Sequence, residues 1–306
     1  MKACVLTGGV GGAKFVAGLE NCGLTQSVTA IVNTGDDFRH LGLHISPDID
    51  TLLYTLAGKS NVAQGWGREG ETWSFLDAVR SLGGPDWFRL GDGDLALHVL
   101  RAERLARGET LSAITADFAR AWGIRSHVLP MSDDPVETFV DTDEGTLAFQ
   151  RYFVERQCAP RVNAIRFEGA ETARAAPGVV EAILSADAVF LAPSNPFLSV
   201  DPLLAMEEIA KALEETAAPV IAISPIVGGT AVKGPTAKIM GELGIAVDNE
   251  AIANHYSAFV DALLIDTSDA PPSALPSLAT HTMMRTLDDK VRVAREAIAL
   301  AHSLKR

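Results

Sequence analysis

The chain has 306 residues, 47% of them hydrophobic and 21% charged, which is enough for one large α/β domain or two small ones. Its formal net charge of −13 at pH 7 argues against nucleic acid or an anionic membrane as a partner. No segment approaches the roughly 20 apolar residues of a membrane span, and no secretory leader pattern opens the sequence, so we expect a cytoplasmic protein. Three scattered cysteines fit neither a disulfide framework nor a zinc site.

Apolar, β-rich segments alternate with helical patterns along the chain, which is typical of a mostly parallel sheet flanked by helices. The predicted strands are residues 3–6, 28–32, 125–129, 188–192, 220–224 and 262–266. We therefore predict a Rossmann-like α/β fold, with residues 1–306 as a single domain. Because ligands bind at the carboxyl ends of the strands in such sheets, the loops after these strands should converge on one crevice.

Four segments have other patterns. Residues 52–124 have a helical pattern and contain all four tryptophans, so they predict a helical lobe inserted in the domain. Residues 136–168 alternate in the manner of antiparallel strands around a turn at 141–145. Residues 270–277, rich in Pro, Ala and Ser, predict an exposed loop, and residues 287–304 predict an amphipathic helix that docks on the sheet.

A glycine-rich turn follows the first predicted strand and opens the first predicted helix. Its glycines, followed by Lys14, are Gly8, Gly9, Gly11 and Gly12. Glycine lets the backbone approach a ligand closely, and a helix N-terminus attracts an anion, so the turn predicts a loop that binds a nucleotide or diphosphate. Lys14 stands where the dinucleotide motif has its third glycine, and Phe15 where a Walker A loop has Ser or Thr. The alternative is a glycine turn without a ligand; we expect a bulky side chain at Gly11 to block the diphosphate.

Four aspartates lie within fifteen residues, at and after the end of the second predicted strand: Asp36, Asp37, Asp48 and Asp50. Carboxylates beside a phosphate loop repel one another unless a cation lies between them. Oxygen ligands of this kind suit Mg²⁺, whose shell is completed by water and substrate phosphate. The cluster therefore predicts a magnesium site, and the alternative is that these side chains cap a helix.

Two further polar clusters lie at residues 89–98 and 130–135. Arg89 is the better candidate for a ligand contact, because a guanidinium offers a fork to phosphate or carbonyl groups. Asp92 and Asp94 are as consistent with turns as with a binding site, and His98 is more often a structural hydrogen-bonding residue than a catalytic one.

Seven motifs together resemble the 2-phospho-L-lactate transferase family, in that family's order and across essentially the whole chain. They are Gly-Gly-Val-Gly-Gly-Ala-Lys, Asn-Thr-Gly-Asp-Asp-Phe, Ser-Pro-Asp-Ile-Asp-Thr, Arg-Leu-Gly-Asp-Gly-Asp-Leu-Ala-Leu-His, Leu-Pro-Met-Ser-Asp-Asp-Pro-Val-Glu-Thr, Phe-Gln-Arg-Tyr-Phe-Val and Ala-Pro-Ser-Asn-Pro. The resemblance implies a step in biosynthesis of the deazaflavin coenzyme F-420. A phosphorylated three-carbon acid moves from a guanosine diphospho donor to the deazaflavin Fo, GMP leaves, Mg²⁺ assists, and the enzyme is a homodimer.

The resemblance also implies roles for single residues. Asp50 and Arg89 match the positions that contact Fo, although many members have lysine where Arg89 stands. Asp36 and Asp50 match the acidic catalytic positions associated with the metal, and Asp48 is added to the metal set. The nucleotide side would consist of the glycine loop with Lys14, together with Ser194, Asn195 and Pro196.

Two alternatives remain at this stage. A related regulatory branch shares the glycine loop and the Ser-Asn-Pro sequence but binds a nucleotide sugar without known transfer; the aspartate-rich motifs favour the transferase branch. A hydride-transferring dehydrogenase is disfavoured by the missing third glycine. The sequence leaves open whether the donor acid is phospholactate, phosphoenolpyruvate or phosphoglycerate, because such small differences change binding by only ~1–3 kcal/mol in apolar pockets.

Overall fold

The computed structural model describes residues 1–232 and 234–304. The strands are β1 (Lys2–Thr7), β2 (Ser27–Val32), β3 (Phe38–His40), β4 (Leu43–Ile45), β5 (His127–Pro130), β6 (Glu137–Thr142), β7 (Gly145–Ala148), β8 (Val162–Glu168), β9 (Ala188–Leu191), β10 (Val220–Ile223), β11 (Ile226–Val227), β12 (Thr230–Ala231), β13 (Ala262–Asp266) and β14 (Ser277–Thr280). The helices are α1 (Gly9–Asn21), α2 (Pro47–Leu56), α3 (Ser74–Ser81), α4 (Asp92–Ala106), α5 (Leu111–Ala121), α6 (Val179–Leu184), α7 (Asp201–Leu204), α8 (Glu207–Glu215), α9 (Thr236–Glu242), α10 (Asn249–Tyr256) and α11 (Leu287–Leu304). Short π-helices lie at Arg151–Glu155 and Pro196–Val200.

In the described residues a seven-stranded parallel sheet forms the centre of the molecule, in the order β14-β13-β10-β9-β1-β2-β5. Every strand predicted from the sequence is present, and the predicted α/β class is confirmed. The order reverses at β1, since β2 lies on one side of it and β9 on the other. That reversal is where open α/β sheets bind their ligands.

The sequence pattern predicts an exposed loop over residues 270–277 and does not predict the edge strand β14. Most of that loop is exposed, but Ser277 begins a parallel strand paired with β13. The strand's sequence, Ser-Leu-Ala-Thr, has a single large apolar residue and is only partly buried, so it carries little of the hydrophobic pattern that marks an inner strand.

Both faces of the sheet are covered, and alternate residues of each strand enter different cores. Ala3 and Val5 of β1 pack with α1, α2 and α11, whereas Cys4 and Leu6 pack on the opposite face with α6, α8 and α10. This explains why the inner strands are continuously apolar rather than alternating. The last helix docks on α1 and on the sheet, as predicted.

Two further groups of elements accompany the central parallel sheet: a small antiparallel sheet and a helical segment. The antiparallel strands β7-β6-β8 confirm the expectation for residues 136–168. The segment predicted as a helical lobe, residues 52–124, contains the end of α2 together with α3, α4 and α5. Within the described part of the chain, no helix combines the length and apolarity of a bilayer span.

Candidate active site

A cleft of about 800 Å³ opens at the carboxyl edge of the central sheet. The loops after β1, β2, β9 and β10 all line it, as the strand pattern predicts, and the lobe closes its other side. The cleft is lined by residues of the strand-end loops, of α2 and of the lobe. They include Gly8, Gly9, Gly11, Lys14, Asp36, Asp48, Asp50, Tyr54, Trp66, Trp87, Phe88, Arg89, Asp94, His98, Ser194 and Asn195. Gly12 and Pro196, both predicted for the nucleotide side, are not among the lining residues.

Backbone conformation and packing inside the protein require glycine at several positions of the glycine loop. Gly9 has φ +61°, a left-handed conformation that favours glycine. A Cβ at Gly11 would lie 2.2 Å from the carbonyl oxygen of Pro193, and one at Gly12 would lie 1.9 Å from Thr7 Oγ1. The missing side chain at Gly11 therefore lets α1 pack against the loop after β9. The expectation that Gly11 also keeps space for a diphosphate stays a prediction.

Polar groups around this loop are partly committed to the protein. Lys14 Nζ donates to the Met284 carbonyl at 2.9 Å, and Ser194 Oγ donates to the Gly8 carbonyl at 2.6 Å. Asn195 Oδ1 accepts from the backbone N–H groups of Phe197 and Leu198, whereas its buried Nδ2 has no hydrogen-bond partner. That Nδ2 is an unsatisfied buried donor of a residue that lines the cleft beside the glycine loop.

Asp36 and Asp48 are buried carboxylates whose negative charges repel each other. Asp48 accepts from Gly9 N–H at 2.7 Å and from Asn33 Nδ2 at 3.0 Å. Burial raises the pKa of Asp48 to about 6, although the bonds from Asn33 and Gly9 oppose the shift. Burial and the charge of Asp48 raise the pKa of Asp36 well above its ordinary value, and Asp36 Oδ1 is buried without a partner. Among the described residues, no cationic side chain pairs with either carboxylate.

This pair suits a hard cation better than the full predicted set does. In residues 1–232 and 234–304, no group of three or more His, Cys, Asp or Glu side chains is arranged to hold a metal ion. Mg²⁺, however, is usually held by one or two carboxylates and takes its other ligands from water and substrate phosphate. The orphaned oxygen of Asp36 and the neighbouring Asp48 fit that requirement.

Asp50 differs from the other two carboxylates because it already has a cationic partner. Arg101 on α4 donates from Nη1 to Asp50 Oδ2 at 3.1 Å and from Nη2 to Asp50 Oδ1. His98 Nδ1 lies 3.6 Å from the same carboxylate. The geometry thus favours Asp36 and Asp48 over Asp50 as metal ligands, and it leaves Asp50 facing the cleft with its charge balanced.

The lobe end of the cleft is aromatic. The Arg89 guanidinium lies 4.2 Å from the centre of the Trp73 ring and 5.8 Å from that of Trp66. Trp87 and Phe88 pack on each other with their ring centres 5.7 Å apart. Flat apolar surface beside a fixed cation can accept a conjugated ring system with polar edges.

Comparison with known proteins identifies the family and agrees with the fold. The chain matches the family model described as 2-phospho-L-lactate transferase CofD over residues 3–302. It is 40% identical over 317 residues to a phosphoenolpyruvate transferase from Streptomyces griseus, with 100% of both chains covered. It is 37% identical over 310 residues to a 2-phospho-L-lactate transferase from Methanopyrus kandleri, with 99% of each covered.

The chain belongs to the 2-phospho-L-lactate transferase family. A solved structure of a UPF0052 family protein from Bacillus halodurans superimposes with a TM-score of 0.63 at 16% identity, covering 97% of this chain and 99% of that chain. At this identity the similarity concerns the fold alone. The family resemblance that the seven motifs indicated is thereby confirmed.

Two aspartates of the family motifs, Asp133 and Asp92, do not line the cleft. Asp133 accepts from the N–H and hydroxyl groups of Ser112, so it ties the start of α5 to the loop after β5. Asp92 accepts from Thr72 Oγ1 and from the N–H of Phe75, which fixes the segment before α3. Both aspartates therefore hold loops in place rather than contact the cleft.

Sequence reasoning missed several groups that this transferase places at its site. Asn33 orients Asp48 and lies within a quoted motif, so its position at a strand end could have found it. Arg101 follows His98 by three residues on α4, but neither its type nor its spacing distinguishes it from Arg104, the other arginine of that helix. Tyr54, which donates to Asp94, had no sequence signal beyond its helical position.

Proposed function

We propose that this chain transfers a phosphorylated three-carbon acid from a guanosine diphospho donor to Fo, releasing GMP, with Mg²⁺ assisting. The observation that carries the proposal is one cleft with two chemically different ends. A glycine loop at a helix N-terminus suits the phosphates, and an aromatic wall with Arg89 suits the deazaflavin. The carboxylates Asp36, Asp48 and Asp50 line the same cleft.

The donor end has few basic groups to offset the charge of −13. The backbone N–H groups that follow Gly9 in the first turn of α1, together with Lys14 and Asn195 Nδ2, would bind phosphoryl oxygens, and the N-terminal end of the helix supports this role. Asp36 and Asp48 would hold Mg²⁺, which when bound neutralises charge on the diphosphate. Their uncompensated burial supports this role, since each is costly to keep ionised alone.

The reaction needs an acceptor hydroxyl beside the donor phosphorus. The hydroxyl oxygen of Fo forms a bond to the phosphorus next to the three-carbon acid, the bond from that phosphorus to the GMP oxygen breaks, and the hydroxyl proton is released to solvent. Asp50 faces the cleft and accepts the hydrogen bond of the attacking O–H group, which orients it. Catalysis is then mainly positioning and charge neutralisation, as in other phosphoryl transfers.

We further propose phosphoenolpyruvate as the donor acid, because the relatives from Streptomyces griseus and Kitasatospora aureofaciens, at 40% and 41% identity, are named phosphoenolpyruvate transferases. The relative from Methanopyrus kandleri, at 37%, is named for phospholactate. The mass of the product formed from each synthetic donor tests this choice directly.

The experiment that tests the proposal mixes the protein with Fo, a guanosine diphospho donor and Mg²⁺, and follows the product by mass and GMP by chromatography. Fo fluorescence gives acceptor binding separately. Nucleotide binding without Fo binding or product would indicate the regulatory branch instead. The proposed homodimer is tested on the same sample by light scattering after gel filtration.

A further inference from the structure

A buried guanidinium lies behind the wall of the cleft. Arg101 is 0% exposed and does not line the cleft, whereas its partner Asp50 is 4% exposed and does. Both terminal nitrogens of Arg101 donate to Asp50, one to each carboxylate oxygen. A two-point contact of this kind fixes the plane of a carboxylate as well as its position.

Arg101 is itself held by three elements. It extends from α4, contacts the carbonyl of His44 on β4 at 3.4 Å, and reaches Asp50 on α2. His98 Nδ1 lies 3.4 Å from Arg101 Nη1 and 3.6 Å from Asp50 Oδ2. The guanidinium therefore joins the lobe helix α4 to the helix that carries Asp50.

Stability alone is a weak reason for this arrangement. Taking two charges out of water is costly, and apolar side chains of similar volume often serve a fold equally well. Asp50 differs from an ordinary core ion pair because one side of it faces the cleft, between the glycine loop and the aromatic lobe. A carboxylate at that position must stay ionised and keep its orientation when substrates displace water from the cleft.

We propose that Arg101 is a positioning residue for the transfer reaction: it orients the Asp50 carboxylate toward the acceptor hydroxyl and supplies its counter-charge. Arg101 touches no substrate. The inference rests on the proposed function, since it assigns Asp50 to the acceptor side of that reaction. It also separates Asp50 from Asp36 and Asp48, with which no cationic side chain pairs in the described part of the chain.

The test compares Arg101→Met, Arg101→Lys and the control Arg104→Met. Arg104 lies on the same helix and pairs with Glu109 and Asp117 on the outer side of the lobe. We expect Arg101→Met to lower kcat roughly tenfold or more, with GDP affinity changed by less than about twofold. Arg101→Lys keeps the charge without the fork and should recover part of the loss, and Arg104→Met should match the wild type.

The outcomes separate the inference from the function on which it rests. Wild-type protein that forms no product from Fo would overturn both. Product from the wild type combined with an unchanged kcat in Arg101→Met, whatever its melting temperature, would overturn the inference alone.

Double substitution covers the case in which Arg101→Met does not fold. Asp50→Asn combined with Arg101→Met removes both charges together, and it is compared with Asp50→Asn alone. If Arg101 acts through Asp50, the two proteins have the same kcat within about twofold. A further drop in the double variant would contradict the inference.

Discussion

At the scale of single residues, the glycine loop shows that one sequence motif can satisfy two requirements. Gly9 needs a left-handed backbone, while Gly11 and Gly12 need the absence of a Cβ next to Pro193 and Thr7. The sequence correctly places the glycine turn between a strand and a helix, but only coordinates show that the protein's own carbonyl occupies the space beside Gly11.

Gly11→Ala should therefore act on folding before it acts on binding. A Cβ 2.2 Å from a backbone carbonyl must displace α1 or the loop after β9, so we expect a loss of unfolding free energy of about 2–3 kcal/mol. Gly241→Ala in α9 is the matched control, since nothing lies within 4 Å of its added Cβ, and it should be neutral or slightly stabilising. Urea denaturation measures both. A Gly11→Ala protein of wild-type stability that loses only GDP affinity would show instead that Gly11 serves the diphosphate and not the packing of α1.

The Asp36–Asp48 pair makes the metal hypothesis measurable without turnover. Because the folded pKa of Asp48 is raised to about 6, the folded state holds a proton that the unfolded state releases. The contribution of this group to stability is present at low pH and is lost as the pH rises from about 4 to about 7. At pH 8, Mg²⁺ should raise the melting temperature by about 3 °C or more.

Asp48→Asn is expected to abolish most of that magnesium effect and to flatten the pH dependence relative to wild type. Glu171→Gln, at an exposed position, serves as the control and should change neither. Thermal melts with and without Mg²⁺ at pH 5 and pH 8 give the comparison. Equal magnesium stabilisation of Asp48→Asn and wild type would count against this pair as the cation site.

At the scale of elements, the lobe brings Arg89 to a cleft built otherwise by strand ends. Arg89→Ala should raise the KM for Fo roughly 10- to 100-fold, the effect of losing a charge-assisted hydrogen bond, while GDP affinity stays near wild type. Arg80→Ala on α3 removes a similar side chain that pairs with Asp77 and Asp86, and it should leave both constants unchanged. A variant that loses GDP affinity instead would place Arg89 at the other end of the cleft.

The elements also show what sequence patterns can and cannot specify. Continuous apolar segments identified β1, β2, β9, β10 and β13, because each of these strands is buried on both faces. The sequence could also place the loops after these strands close together, because the carboxyl ends of parallel strands lie at the same side of a sheet. The pairing of Arg101 with Asp50 could not be predicted, since it depends on how α4 packs against α2 and β4 across 51 positions of sequence.

At the scale of the whole molecule, one cleft of about 800 Å³ would hold both substrates at once. Among the described residues that line it there is no cysteine: Cys4 and Cys22 are buried in the cores, and Cys158 lies elsewhere. The cationic side chains among the described lining residues, Lys14 and Arg89, belong to different parts of the chain rather than to one cluster. Room for both substrates in one cleft favours direct transfer from donor to acceptor.

Direct transfer predicts sequential kinetics. Initial rates measured against Fo at several donor concentrations should give double-reciprocal lines that intersect, because both substrates must be bound before the phosphorus–oxygen bond to GMP breaks. With the donor and Mg²⁺ but no Fo, GMP should appear only at a slow hydrolytic rate, and adding Fo should start release without a lag. Parallel lines, together with one equivalent of GMP formed per chain before Fo is added, would instead require a covalent enzyme intermediate and a nucleophile inside the cleft.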